Sequence, residues 1–134
     1  MHLIDTNVLL EVLLARERKE SCKRLLRRLK EGEESGALTD FSIHSIIVIM
    51  DSFRKFAELK TFLSSLTSYK GLRIFPTNLL IEVRAIDIAL EKGLDMDDAI
   101  QYSAALSLKA ESIVSYDKHF DNLDIPRKSP EEFI

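Results

Sequence analysis

The 134-residue chain has a single cysteine, Cys22, so no disulfide can form within it. Lying in a charged helical pattern, that thiol reads as an inert residue rather than a nucleophile. Glycine and proline are scarce, four and three residues, which sets aside collagen-like and disordered classes. Long apolar runs are missing too. The longest, Ile46 to Met50, falls far short of the roughly 18 to 20 residues needed to cross a bilayer, so no membrane association is expected. No basic stretch followed by an apolar segment and a small-residue cleavage site follows Met1, and residence in the cytoplasm is the expectation. Nor is there an excess of positive charge. The net charge of −3 means that bulk electrostatics do not by themselves mark a nucleic-acid binder.

What is present is the composition of a globular protein, 46% hydrophobic and 31% charged. The length suits one domain spanning residues 1–134, able to bury roughly two-thirds of the surface that its unfolded chain exposes. Charge is unevenly spread. RERKESCKRLLRRLK, from Arg16 to Lys30, is strongly basic, whereas acids gather at Glu31, Glu33 and Glu34 and again at Asp95, Asp97 and Asp98. The basic stretch reads either as a phosphate-binding face or as a solvated helix laced with Glu/Arg pairs.

Periodicity predicts alternating strands and helices. HLID is a short strand, and TNVLLEVLLARERKESCKRLLRRLK, with Leu and Val at three- and four-residue steps, is helical after Thr6 or Asn7. Ala37 to Phe41 is expected as a second strand, followed by two helices within SIHSIIVIMDSFRKFAELKTFLSSLTSYK. Leu72 to Phe75 is a third strand closed by Pro76, and NLLIEVRAIDIALEKG a helix stopped by Gly93. DMDDAIQYSAALSLKA is a last helix with Asp95 as candidate N-cap, Ser112 to Ser115 a fourth strand, and NLDIPRKSPEEF a loop-rich tail. The pattern implies an α/β domain with a mostly parallel sheet of four to five strands covered on both faces.

In open sheets of this kind ligands gather at the carboxyl ends of the strands. LID and IVSYD each place an acid there, Asp5 and Asp117, and Asp97 and Asp98 occupy the first turn of the last helix. Each has a plain structural explanation: an N-cap, complementation of a helix dipole, a polar turn. Converging in one cleft, however, they would repel one another and call for a cation or a proton. Hard oxygen donors of this type suit Mg²⁺ or Mn²⁺.

LIDTNVLL, LDMDDAIQYSAAL and IVSYDKHFDNL together resemble the three acidic motifs of the PIN-domain family, in order and at similar spacing. The pattern is most similar to the VapC-type toxin ribonucleases. That resemblance implies a three-layer α/β/α fold and a Mg²⁺- or Mn²⁺-dependent endoribonuclease. Its catalytic and metal-binding acids would be Asp5, Asp98 and Asp117. Thr6 and Asn7 would accompany the first acid, Ser115 would hydrogen-bond the cluster, and Asp121 and Asp97 would support it from outside. It further implies RNA as substrate, a small antitoxin protein whose segment occludes the acidic cleft, and a homodimer.

One departure stands out. The family's usual Glu, early in the helix after the second strand, falls on Ser45, with His44 beside it. Either His44 or Ser45 serves in its place, or another acid such as Asp40 or Glu82 leans in, or the site is weakened. The first rival reading is therefore a degenerate PIN domain that binds RNA or a protein partner without cleaving. The second is a phosphotransfer domain with Asp5 as nucleophile, which the acidic rather than Lys- and hydroxyl-bearing downstream motifs disfavour.

Overall fold

A computed structural model describes residues 1–134. Its elements alternate as expected: β1 (His2–Ile4), α1 (Thr6–Leu13), α2 (Lys19–Glu31), β2 (Gly36–Thr39), α3 (Asp40–Ser52), α4 (Phe56–Ser65), β3 (Leu72–Phe75), α5 (Leu79–Lys92), α6 (Met96–Leu108), β4 (Ser112–Val114) and β5 (Arg127–Lys128). The five strands form one wholly parallel sheet in the order β3-β2-β1-β4-β5. Helices cover both faces, giving the three-layer α/β/α arrangement. No helix is long and apolar enough to cross a membrane.

Alternation along the central strands divides the core. Leu3, Ala37 and Ile113 point to one face, against Tyr102 and Ala105 of α6 and against Phe120 and Ile125. Ile4, Leu38 and Val114 point to the other, against α1, α2, α3 and α4. Strands buried on both sides are therefore mainly apolar, and the polar exceptions are partnered, His2 with Ser112 at 2.7 Å and Thr39 with Gln101 at 3.0 Å. Helix α2 shows the complementary logic. Cys22, Leu25, Leu26 and Leu29 form its buried stripe, each Leu contributing about 2 kcal/mol of burial, while its arginines and lysines stay outside.

Three local differences from expectation have identifiable causes. The first helical pattern breaks into α1 and α2 because Ala15 adopts a left-handed conformation (φ 50°). The turn is held by the Glu11 carboxylate, which accepts from the Arg18 amide at 2.8 Å. The second strand ends at Thr39 rather than Phe41, because the Thr39 hydroxyl accepts from the Ser42 amide at 3.0 Å and starts α3. The tail contributes β5, a two-residue strand beside β4, too short and too close to Pro126 to show as periodicity.

Candidate metal centre

From β1 the chain builds outward through β2 to β3, then crosses to the other side of β1 for β4 and β5. The strand order therefore switches between β1 and β4, whose carboxyl ends open a crevice. Ile4 pairs with Val114, and the Asp5 amide donates to the Val114 carbonyl at 3.0 Å. Asp5 and Ser115 thus leave the sheet side by side.

Asp5 occupies the N-cap position of α1, but its side chain makes no capping hydrogen bond. Instead Oδ2 accepts from the Ser115 hydroxyl at 2.7 Å, and Ser115 Oγ in turn accepts from the Asp117 amide at 2.9 Å. One hydroxyl thereby ties the first acid to the backbone of the last. Asp5 is only 6% exposed, and burial pushes its carboxyl up to about 6; Asp98 and Asp117 add to the shift by repulsion, while the Ser115 hydrogen bond opposes it.

Asp98 enters the crevice from the first turn of α6. Its carboxyl is raised too, by burial first and then by Asp117, with His119 acting the other way. Asp117 caps the short 3-10 helix Lys118–Phe120, accepting from the His119 amide at 2.9 Å. The His119 ring turns back over both acids, with Nδ1 3.3 Å from Asp98 Oδ2 and 3.2 Å from Asp117 Oδ1. One donor atom from each of Asp98, Asp117 and His119 lies within 4.8 Å of the others.

Beside this cluster is a cleft of about 150 Å³ whose walls include Asp5, Thr6, Asn7, Ser45, Asp97 and Asp98. Ser45 therefore faces the acids from α3, as its position in the motif implies, but brings only a hydroxyl. His44 is exposed and lines a neighbouring depression with Val48 and Asp97, not the cleft itself. Asp40 does not substitute for the absent acid: its Oδ1 is engaged by the amide and hydroxyl of Thr77, at 2.9 and 2.7 Å. Glu82 is not among the cleft residues. Asp121 pairs with Arg127 at 2.7 Å, and the same guanidinium donates to the Ser115 carbonyl at 3.0 Å. Its link to the centre runs through that backbone.

Behind the cleft is a buried polar network that the motifs did not disclose. Gln101, three residues after Asp98 on the same face of α6, accepts from the Thr39 hydroxyl at 3.0 Å. Its amide donates to Ser42 Oγ at 2.5 Å and to Thr6 Oγ1 at 3.3 Å. Thr6 and Ser42 share a further hydrogen bond of 2.8 Å. Thr6 thus clamps α1 to α3 and α6, holding three walls of the cleft in register. Gln101 was detectable in principle, as a long polar side chain in a helix whose residues Ala99 to Ala105 are otherwise small, apolar or aromatic apart from Ser103, and all buried.

The basic stretch is divided between two ends of the sheet. Arg18 stacks over the Tyr116 ring at 4.1 Å, and Tyr116 directly precedes Asp117 in the chain. At the far end Arg28 pairs with Glu33 and Glu34, just before β2 begins. The largest concavity, about 440 Å³, lies between α1, α2 and α4 and is mainly apolar, with Leu9, Val12, Leu26 and Phe62 among its walls. It offers no comparable set of ionisable groups.

The donor set of the crevice fits a hard divalent cation. Three carboxylates on separate elements converge, the innermost is protonation-prone through its burial and its like-charged neighbours, and the one side chain bridging two of them is an exposed imidazole. A bound cation would offset the repulsion within such an arrangement.

Residues 2–126 match the family model described as PIN domain. Among solved structures, the chain is similar to a toxin-antitoxin complex from Klebsiella pneumoniae (TM-score 0.74, 18% identity, 97% of this chain and 98% of that one). It is also similar to VapC20 of Mycobacterium tuberculosis, described as a sarcin-ricin loop cleaving toxin (0.71, 11%, 87% and 90%). A third is VapBC2 of Rickettsia felis bound to a DNA fragment from its promoter (0.70, 14%, 96% and 97%). At such identities the likeness concerns the fold. No curated protein matches the sequence.

Proposed function

The chain belongs to the PIN domain family, and from that premise we propose that it is a metal-dependent endoribonuclease, the toxin of a VapBC-type pair. The observation that carries this reading is the convergence of Asp5, Asp98 and Asp117 at the switch between β1 and β4, with Ser115 linking Asp5 to the Asp117 backbone. Those three acids hold a divalent cation, Mg²⁺ or Mn²⁺. A cation held there would supply Lewis acidity to the scissile phosphodiester and lower the pKa of an attacking water.

The remaining work falls to the chain. Ser115 orients Asp5. Gln101 and Thr6 keep the three cleft walls in register, so that the carboxylates need not reorganise when substrate arrives. Arg18, fixed on Tyr116 beside Asp117, grips a phosphate flanking the one being cut and offsets the repulsion of RNA by an acidic cleft.

A small antitoxin is the partner this reading supplies, by analogy with the toxin-antitoxin complexes of similar fold, its segment covering the acidic cleft. A second copy of the chain is the other. Ile46, Met50 and Phe62 of the middle helices belong to the core, but α5 carries Leu79, Val83, Ile86 and Leu90 at 50–80% exposure, spaced to form one stripe. Exposed Arg84 and Asp87 flank it with opposite signs, which lets the face pair with itself about a two-fold axis.

A degenerate, non-cleaving domain is the second reading, favoured by Ser45 alone. Incubating a labelled RNA pool with the antitoxin-free chain in Mn²⁺ or Mg²⁺, against EDTA and against Asp98→Asn, separates the two. Metal-dependent cutting lost in the variant is the expected result. A folded chain that cuts in neither metal would leave the binding role.

A further inference from the structure

His119 does not belong to the acidic set that the motifs identify, and its position over that set has a consequence for which ion the site prefers. The ring is 67% exposed, so it need not shed much surrounding protein to turn. Its backbone, by contrast, is anchored: the amide is held by Asp117 Oδ1 at 2.9 Å, and the next residue, Phe120, is fully buried in the core. A free ring on a fixed Cα is thus presented to the two acids. Nδ1 stands 3.3 Å from Asp98 Oδ2 and 3.2 Å from Asp117 Oδ1. In an octahedral shell with bonds of about 2.1 Å, neighbouring donors lie about 3.0 Å apart. The imidazole nitrogen is therefore already near ligand-to-ligand spacing from each carboxylate, and with all three donor atoms within 4.8 Å of one another an ion between them can bind all three once the two carboxylates close in.

The chain is short of one donor. Ser45 faces the cleft where an acid is expected, Asp40 is occupied by Thr77, and Glu82 is elsewhere. Resting on the metal-centre reading above, we propose that His119 is a direct ligand through Nδ1, and that its nitrogen makes the site selective for Mn²⁺ over Mg²⁺. Both ions take carboxylate and water oxygens, but a nitrogen donor adds more to Mn²⁺, a first-row transition ion, than to Mg²⁺. In the tautomer with its proton on Nε2, the ring offers Nδ1 to the ion in place of the hydrogen bond that it makes to Asp98.

The alternative is that His119 only shields two carboxylates from each other and leaves when an ion arrives. The two accounts differ in what removal does. Mn²⁺ binding to the metal-free chain is followed by loss of the free-ion paramagnetic resonance signal and Mg²⁺ binding by calorimetry, for the chain, His119→Ala, His119→Gln and Asp98→Asn. Both His119 variants are expected to weaken Mn²⁺ binding about tenfold and to change Mg²⁺ binding by less than about twofold. Spin-echo spectra of the Mn²⁺-bound chain are expected to show modulation from a directly coordinated ¹⁴N that both variants lack. Unchanged or tighter Mn²⁺ binding in the variants, or no ¹⁴N modulation in the chain, overturns the proposal. Asp98→Asn separates it from the reading on which it rests: if that variant binds both ions as well as the chain does, the acidic cluster is not the metal centre and the ligand role falls with it.

Discussion

The hydroxyl of Ser115 lies 2.7 Å from Asp5 Oδ2, and both groups are buried where two neighbouring parallel strands end. The contact is directional. Ser115 donates to the carboxylate and accepts from the Asp117 amide, so removing the hydroxyl leaves a buried acceptor and a donor unpaired at once. Ser115→Ala is expected to destabilise the fold by about 1–3 kcal/mol, seen as a fall in Tm of about 4 °C per kcal/mol. A Tm unchanged from the parent would mean that water replaces the hydroxyl and that Asp5 is not fixed by it.

The raised pKa of Asp5 sets a pH dependence of stability. Its folded value of about 6 lies above the ordinary 3.8, so between these pH values the folded chain binds more protons than the unfolded one. Stability then falls as pH rises through that window, by about 3 kcal/mol in all, and the loss is complete above about pH 7. Asp5→Asn has no charge to bury. In EDTA it is expected to melt above the parent at pH 8, with the difference closing towards pH 4. Added Mn²⁺ stabilises the parent by mass action and reverses the order. Parallel melting curves for the two proteins across pH 4–8 would sink this account.

The α5 stripe makes a separable prediction, since it is remote in kind from the acids. Burying four exposed aliphatic side chains per copy is the driving force for self-association there. Val83→Glu together with Leu90→Glu is expected to convert a dimer into a folded monomer in light scattering, with Tm falling only by the stabilisation that association supplied, because at 57% and 80% exposure neither residue supports the core. A parent that is monomeric at tens of micromolar, by the same measurement, would remove self-pairing from the reading.

Much of this organisation was legible in the sequence, and the gaps have physical causes. β3 falls on the predicted residues and β1 ends one residue short of the expected HLID, because short apolar runs bounded by Asp5 and by Pro76 leave little choice of register. The rule that acids at strand ends share an edge put Asp5 and Asp117 together, whereas Ser115 came only from the resemblance. The break at Ala15 was not legible. A left-handed alanine has no sequence signature, and it is stabilised by Glu11 capturing the Arg18 amide, with Arg18 itself resting on Tyr116, almost a hundred positions away. Gln101 and His119 were missed for a related reason. Each carries a common side chain whose role is set by what the fold brings against it, Thr6 and Ser42 for one and two carboxylates for the other.

Ser45 provides the sharpest test of the centre as a whole. It faces Asp5 and Asp98 across a cleft of about 150 Å³, a space that accommodates a longer side chain. Ser45→Glu adds a carboxylate to a cluster in which burial first, and repulsion among the acids second, already raises Asp5 and Asp98. Without metal the variant is therefore expected to melt below the parent. With metal the sign changes, because every added carboxylate contributes charge and a donor to the ion. Affinity for Mn²⁺ and Mg²⁺ should rise about tenfold, and RNA cleavage should increase with it. The opposite signs with and without metal are the discriminating feature, since a merely disruptive substitution lowers Tm in both conditions. A Ser45→Glu chain that melts lower whether or not metal is present, and binds no more tightly, would place the ion away from α3 and leave the acids of β1, α6 and the turn after β4 to hold it alone.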